Sequence, residues 1–189
     1  MEFFNFSVNR MNTYIGLLRG VNVSGQKKIP MAELREALSK SGLMSVQTYI
    51  QSGNIIFQSL KENKRILALQ IQKIIQLYFG FEVPVLVFIP KDFKQIFDKC
   101  PFRQDKKENS YFTFLYQKPK KDLVLEVSNI TYPNEDFFIT QDCVYFYCSV
   151  GYGKAKCNNN FFEQKLKVTA TARNYKTIRK LLSLTSQLD

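Results

Sequence analysis

Apolar residues occupy positions 13–18 almost without interruption, over a span too short for a helix, which predicts a buried strand. After a glycine-punctuated loop at 19–28, Pro30 stands where a first helical turn tolerates it. Met31, Leu34, Ala37 and Leu38 then recur at helical spacing until Gly42, so a helix with one apolar face follows. Positions 46–50 and 55–57 are strand-like, and Gln51-Ser52-Gly53-Asn54 between them has the permissive backbone of a hairpin turn. From 63 to 79 the apolar residues cover a wide stripe, stopped by Gly80, which predicts a second, well-buried helix; 83–89 is another strand. Residues 12–89 thus read βαββαβ, the split order of the ferredoxin-like plait.

The order then repeats in a weaker form. Pro90 opens a short helix with Phe93, Ile96 and Phe97 inward, and the polar stretch 103–109 reads as a linker or surface loop. A strand at 111–116, a helix at 120–127, a hairpin of 137–140 and 144–150 turning at Gln141-Asp142, a helix at 161–166 and a short strand at 168–172 follow. Tyr175, Ile178, Leu181 and Leu182 form one face of a terminal helix, with Lys176, Arg179 and Lys180 outward. The expected fold class is α+β: two tandem ferredoxin-like halves with antiparallel sheets, plus a C-terminal helix. The expected divisions are an extension at 1–11, half one at 12–90, helix and linker at 91–109, half two at 110–173 and the terminal helix at 174–189. Met11 is an alternative start, because the pattern begins only at Asn12.

Charge narrows the partners. Lys plus Arg number 27 against 16 acids, a net +11 over 189 residues with no histidine, which favours an anionic small molecule, nucleic acid or a membrane surface, or else serves solubility. No run approaches the roughly 18 apolar residues of a membrane span and residues 1–10 lack a signal-peptide core, so a cytoplasmic protein without a membrane partner is expected. Cys100, Cys143, Cys148 and Cys157 show no CxxC spacing and have no histidine to join them; reduced thiols are expected, with no metal and no cofactor. Cys143 and Cys148, an odd number of residues apart in a strand, should face opposite sides. Catalytic chemistry is thinly supplied: there is no GxSxG, the acids are scattered, and the adjacent pair Glu135-Asp136 should diverge.

In a plait the first strand's exit and the hairpin turn lie at one end. Loop 19–28 and turn 51–54 should therefore be neighbours, rimmed by 79–83. Arg19, Asn22, Ser24, Gly25, Lys27, Gln51, Ser52 and Asn54 are the candidate ligand residues, offering amides, cations and backbone N–H groups suited to an anion or nucleotide. Gly20 and Gly25 have the spacing of a phosphate loop, but Gln26 and Lys27 stand where it needs Lys and Ser or Thr. Alternatively the glycines merely permit a sharp turn, Asn22 and Ser24 bond their own backbone and the lysines are solvated. The aromatic runs at 111–114 and 145–147 could stack bases, although packing into the core or between the halves is the preferred reading.

The segments YIGLLRGVNVSG (14–25), IPMAELR (29–35), TYIQSGNIIF (48–57), the helix at 161–166 and TARNYKT (171–177) together resemble a bacterial family known as domain of unknown function 1697. Ser24 departs from the glycine usual there, and Cys157 from an aliphatic residue. The resemblance implies two tandem ferredoxin-like halves and no activity. Its polar segments also suggest that Arg173 and Asn174 approach the 19–28 loop in one composite site between the halves; the alternative is that they cap the terminal helix, Asn174 as N-cap. The expected function is binding of an anionic, phosphate-bearing ligand at the loop edge of half one. The alternatives are a nucleic-acid-binding protein, an enzyme on a phosphorylated metabolite, and a protein-interaction module.

Overall fold

A computed structural model describes residues 11–23 and 25–188; residues 1–10 of the expected extension at 1–11 and the candidate residue Ser24 lie outside them. Strand β1 (Asn12–Leu18) runs into the loop, then α1 (Met31–Lys40), β2 (Met44–Tyr49), β3 (Asn54–Ser59), α2 (Lys64–Phe79) and β4 (Val85–Phe88). The hydrogen-bonded order is β2-β3-β1-β4, every neighbour antiparallel. Helix α3 (Pro90–Asp98) and the short α4 (Gln104–Lys107) lead to β5 (Ser110–Leu115), α5 (Lys121–Ser128), β6 (Glu135–Ile139), β7 (Cys143–Cys148), α6 (Asn159–Leu166), β8 (Ala170–Asn174) and α7 (Tyr175–Thr185). The second sheet is ordered β6-β7-β5-β8, again antiparallel. The molecule is thus a mixed α+β protein of two four-stranded antiparallel sheets. Its polar 103–109 stretch contains one helical turn, α4, where a loop was expected.

Each sheet is buried on both faces, because side chains alternate along a strand. Tyr14, Leu18, Ile55 and Phe57 face α1 and α2, while Ile15, Leu17 and Ile56 face the other way. That second face meets Phe112, Phe114 and Tyr145 of the second sheet, with Phe93 of α3 and Ile178 and Leu181 of α7 filling the shared core. Val144, Phe146 and Cys148 pack outward under α5 and α6. Cys143 and Cys148 therefore lie on opposite faces, and all four cysteines are buried and unbonded to one another.

Helix α2 departs from its expected burial. Asn63 caps it, accepting from the N–H groups of Arg65 and Ile66, and Gly80 ends it in the left-handed conformation. Only Leu67, Ile71 and Ile75 are fully buried; Ile66, Leu69, Leu77 and Tyr78 are exposed, Leu77 by 76%. A stripe wider than the roughly 100° that a sheet can cover leaves its flank in solvent.

Candidate functional site

Strand directions bring the exit of β1 and the start of β3 to one end. The Leu18 N–H donates to the Gly53 carbonyl (2.8 Å) and the Arg19 N–H to the Pro84 carbonyl (3.0 Å), so the loop, the hairpin turn and the approach to β4 share one edge. The backbone there is unusually contorted: Gly20, Asn22, Gly25, Lys27, Ile50 and Gly53 all have positive φ. At Gly53 (φ +73) a Cβ would stand 2.6 Å from Leu18 Cβ and 2.7 Å from Val21 Cγ2, so the turn can lie on β1 only as glycine.

The polar side chains of this edge divide into two groups. Asn22 donates to the Ile29 (3.0 Å) and Gln51 (2.8 Å) carbonyls and accepts from the Ile29 N–H (2.8 Å), clipping the loop to the turn. Asn54 donates to the Tyr49 carbonyl and Ser52 Oγ and accepts from Arg173 Nε. Arg173, expected at the 19–28 loop, crosses to the turn at 52–54 and to Leu18 just before that loop, as a buried strut. Only 7% exposed, it donates to Asn54 Oδ1 (2.5 Å), Thr171 Oγ1 (2.8 Å) and the carbonyls of Ala172, Leu18, Ser52 and Gly53. All five guanidinium N–H groups are occupied by protein. Burial lowers its pKa to about 10, which leaves it charged at neutral pH with its charge spread over neutral acceptors. Asn174 is the N-cap of α7, accepting from the Thr177 N–H (2.8 Å).

Two further side chains stitch the halves. Arg19 makes a paired contact to Glu163 of α6, Nε at 2.6 Å and Nη2 at 2.5 Å, and this hydrogen bonding raises its pKa. Tyr116 sends its hydroxyl to the Leu17 and Pro84 carbonyls (3.3 and 3.1 Å); burial pushes that phenol well up.

The ligand-accessible part of the edge is a groove of about 400 Å³ between the loop and α2. Arg19, Lys27, Gln72, Lys73 and Gln76 supply its polar lining, and Glu82 its single acid, over a floor of Leu69, Val83 and Pro84. Lys27 donates one N–H to the Glu82 carbonyl (2.6 Å), leaving its ammonium two more protons. Of the residues singled out in the sequence, Arg19 and Lys27 line the groove. Gly25 and Gln51 are exposed but do not line it, and Ser52 is partly buried against Asn54. The α2 residues Gln72, Lys73 and Gln76 were missed. Their signal was a polar row along one flank of an apolar helix.

Other expectations find their places too. Phe112, Phe114 and Tyr145 sit in the core between the sheets and Phe146 beneath α6, so these aromatic faces are spent on packing. Glu135 accepts from the Lys156 and Cys157 N–H groups while Asp136 pairs with Lys106, so the two carboxylates diverge. Among the described residues no helix is long and apolar enough to cross a membrane.

The family model described as protein of unknown function (DUF1697) matches residues 11–145. The structure is similar to that of the conserved bacterial protein SP0830 from Streptococcus pneumoniae, with a TM-score of 0.73 and 24% identity over 93% of this chain and 99% of that one. This is a likeness of fold. A comparison with curated proteins found no match.

Proposed function

We propose, from the premise that this chain belongs to the DUF1697 family of proteins of unknown function, that it binds an anionic, phosphate-bearing small molecule in the groove between the loop and α2. The observation that carries this reading is the lining: two lysines and two amides against one acid, Glu82, with Arg19 beside them, its charge balanced by Glu163, over a short apolar floor. A phosphate needs several convergent donors, and its attached group needs an apolar surface. The cluster of left-handed residues on the same edge supports the reading, since strained backbone gathers where a ligand must be met. We read each half as a ferredoxin-like plait, halves at 12–90 and 110–173, because the orders β2-β3-β1-β4 and β6-β7-β5-β8 match that topology, and we place the protein in the cytoplasm. In this reading Arg19, Lys27, Gln72, Lys73 and Gln76 touch the ligand, while Asn22, Asn54, Arg173 and Asn174 hold the frame.

Thermal-shift titration with pyrophosphate, nucleotides and sugar phosphates tests it. A ligand at about a hundredfold its Kd stabilises the native state by about 2.7 kcal/mol. The shift should vanish in the double variant Lys27→Ala, Lys73→Ala, whose side chains are exposed and cost the fold little. Arg19→Ala is a poor control, because it also strips Glu163 of its partner. Absence of any shift, or a shift indifferent to both lysines, refutes the groove.

A further inference from the structure

The same backbone contacts recur within each half, with different side chains around them. Leu18 N–H to Gly53 carbonyl (2.8 Å) in the first half is repeated as Leu115 N–H to Asp142 carbonyl (2.9 Å) in the second, and Arg19 N–H to Pro84 carbonyl (3.0 Å) as Tyr116 N–H to Thr169 carbonyl (2.9 Å). The strand registers agree: Leu17 faces Asn54 as Phe114 faces Cys143, and Ile15 faces Phe88 as Phe112 faces Arg173. By this correspondence Leu115, Gln141 and Asp142 occupy the positions of Leu18, Ser52 and Gly53, whose carbonyls hold the Arg173 guanidinium. Phe88 occupies the position of Arg173.

At the first seam the guanidinium fills the joint. The second seam, without one, is open: a pocket of about 470 Å³ is lined there by Phe88, Leu115, Gln141 and Asp142 together with residues of α3 and the start of α2. Phe88 turns its ring onto Phe93 and Phe114 instead (centroids 5.5 and 5.4 Å). Asp142, exposed, adds a carboxylate where the first half has glycine. Lys64 and Asp92 on the rim neutralise each other (2.7 Å), leaving Asp142 and Lys99 as one further charge of each sign, with Ile96 and Tyr145 as apolar wall.

We infer that this second seam is a binding site for a small molecule carrying a guanidinium or primary ammonium group at one end and, several methylenes away, a carboxylate at the other. The cationic head takes the place that Arg173 takes at the first seam, with Asp142 as its counter-charge. The carboxylate meets Lys99, and the connecting methylenes lie against Phe88 and Ile96. The pocket volume falls within the range of small-molecule sites. This site is separate from the groove proposed above.

Calorimetric titration with L-arginine, agmatine and citrulline tests the inference. L-Arginine should bind saturably; citrulline, of the same shape with a neutral ureido group in place of the guanidinium, and agmatine, without the carboxylate, should each bind at least about tenfold more weakly, the factor that a charge-assisted hydrogen bond supplies. Asp142→Asn should lower arginine affinity by a similar factor with an unchanged urea midpoint. Phe88→Arg should fill the pocket from within and abolish binding; should that variant fail to fold, Asp142→Asn and Lys99→Ala carry the test. The Lys27→Ala, Lys73→Ala protein should bind arginine normally, which separates this site from the groove. Equal binding of arginine and citrulline, indifference to Asp142, loss of binding in the groove variant, or no saturable binding would each overturn the inference.

Discussion

Arg173 shows how much one residue can decide. A guanidinium buried without a carboxylate is tolerable because the carbonyls of Leu18, Ser52, Gly53 and Ala172, with Asn54 and Thr171, return the hydrogen bonds it loses from water. Lysine cannot replace it: three donors on a point charge cannot serve acceptors fanned around a plane. Arg173→Lys should therefore lower stability by about 3 kcal/mol, read as a fall in the urea midpoint at constant slope. A loss within about 0.5 kcal/mol would mean that these contacts are incidental. An approach of Arg173 to the first half, at the 19–28 loop, was legible only through the family resemblance; its contact with the turn at 52–54 was not legible. Nor was its saturation there, because donors are counted only once their acceptors are placed.

Helices and strands show the strength and the limit of periodicity. The order of strands and helices was readable because each buried face writes a period into the chain, and Asn63 and Gly80 punctuate α2 at its ends. What periodicity could not divide was the wide stripe of α2. A helix on a sheet buries one side, and which part of the stripe it buries depends on the angle at which it lies. Ile71→Ala, at the buried centre, should cost about 3 kcal/mol, while Leu77→Gln, 76% exposed, should stay within about 0.5 kcal/mol by the same denaturation measurement. Similar losses for both would indicate that a partner covers the exposed flank.

Across the whole molecule, the shared core of Ile15, Leu17, Ile56, Phe112, Phe114 and Tyr145 makes the two halves one cooperative unit, so fluorescence and circular dichroism should report one coincident unfolding transition. Its pH dependence follows from burial. Cys100, Cys143 and Cys157 are raised above 9.0, and Tyr14, Tyr116, Tyr145 and Tyr152 above 10.0. Each binds its proton more tightly folded than unfolded, so its contribution is complete below the unfolded value and is lost as pH rises past it. Arg173 runs the other way: its folded value of about 10 lies below 12.5, so its contribution grows between the two. Seven groups outweigh one, and with no histidine in the chain the urea midpoint should be flat from about pH 6 to 8.5 and fall steadily above about 9. A midpoint that holds to about pH 11 would contradict the burial of these groups.

Sequence by itself determined the alternation of elements, the two-part repeat, the adjacency of the loop and the hairpin turn, and the excess of positive charge. These are consequences of local periodicity, turn chemistry and composition, which any window of the chain carries within itself. Tertiary structure alone decided where each polar group was directed. Arg19 went to Glu163, Arg173 to the turn and Asn22 to Gln51, while Lys27 and Lys73, 46 residues apart in the numbering, came together across a groove. The reason is that a hydrogen bond or an ion pair joins residues distant along the chain, and only packing brings them within reach.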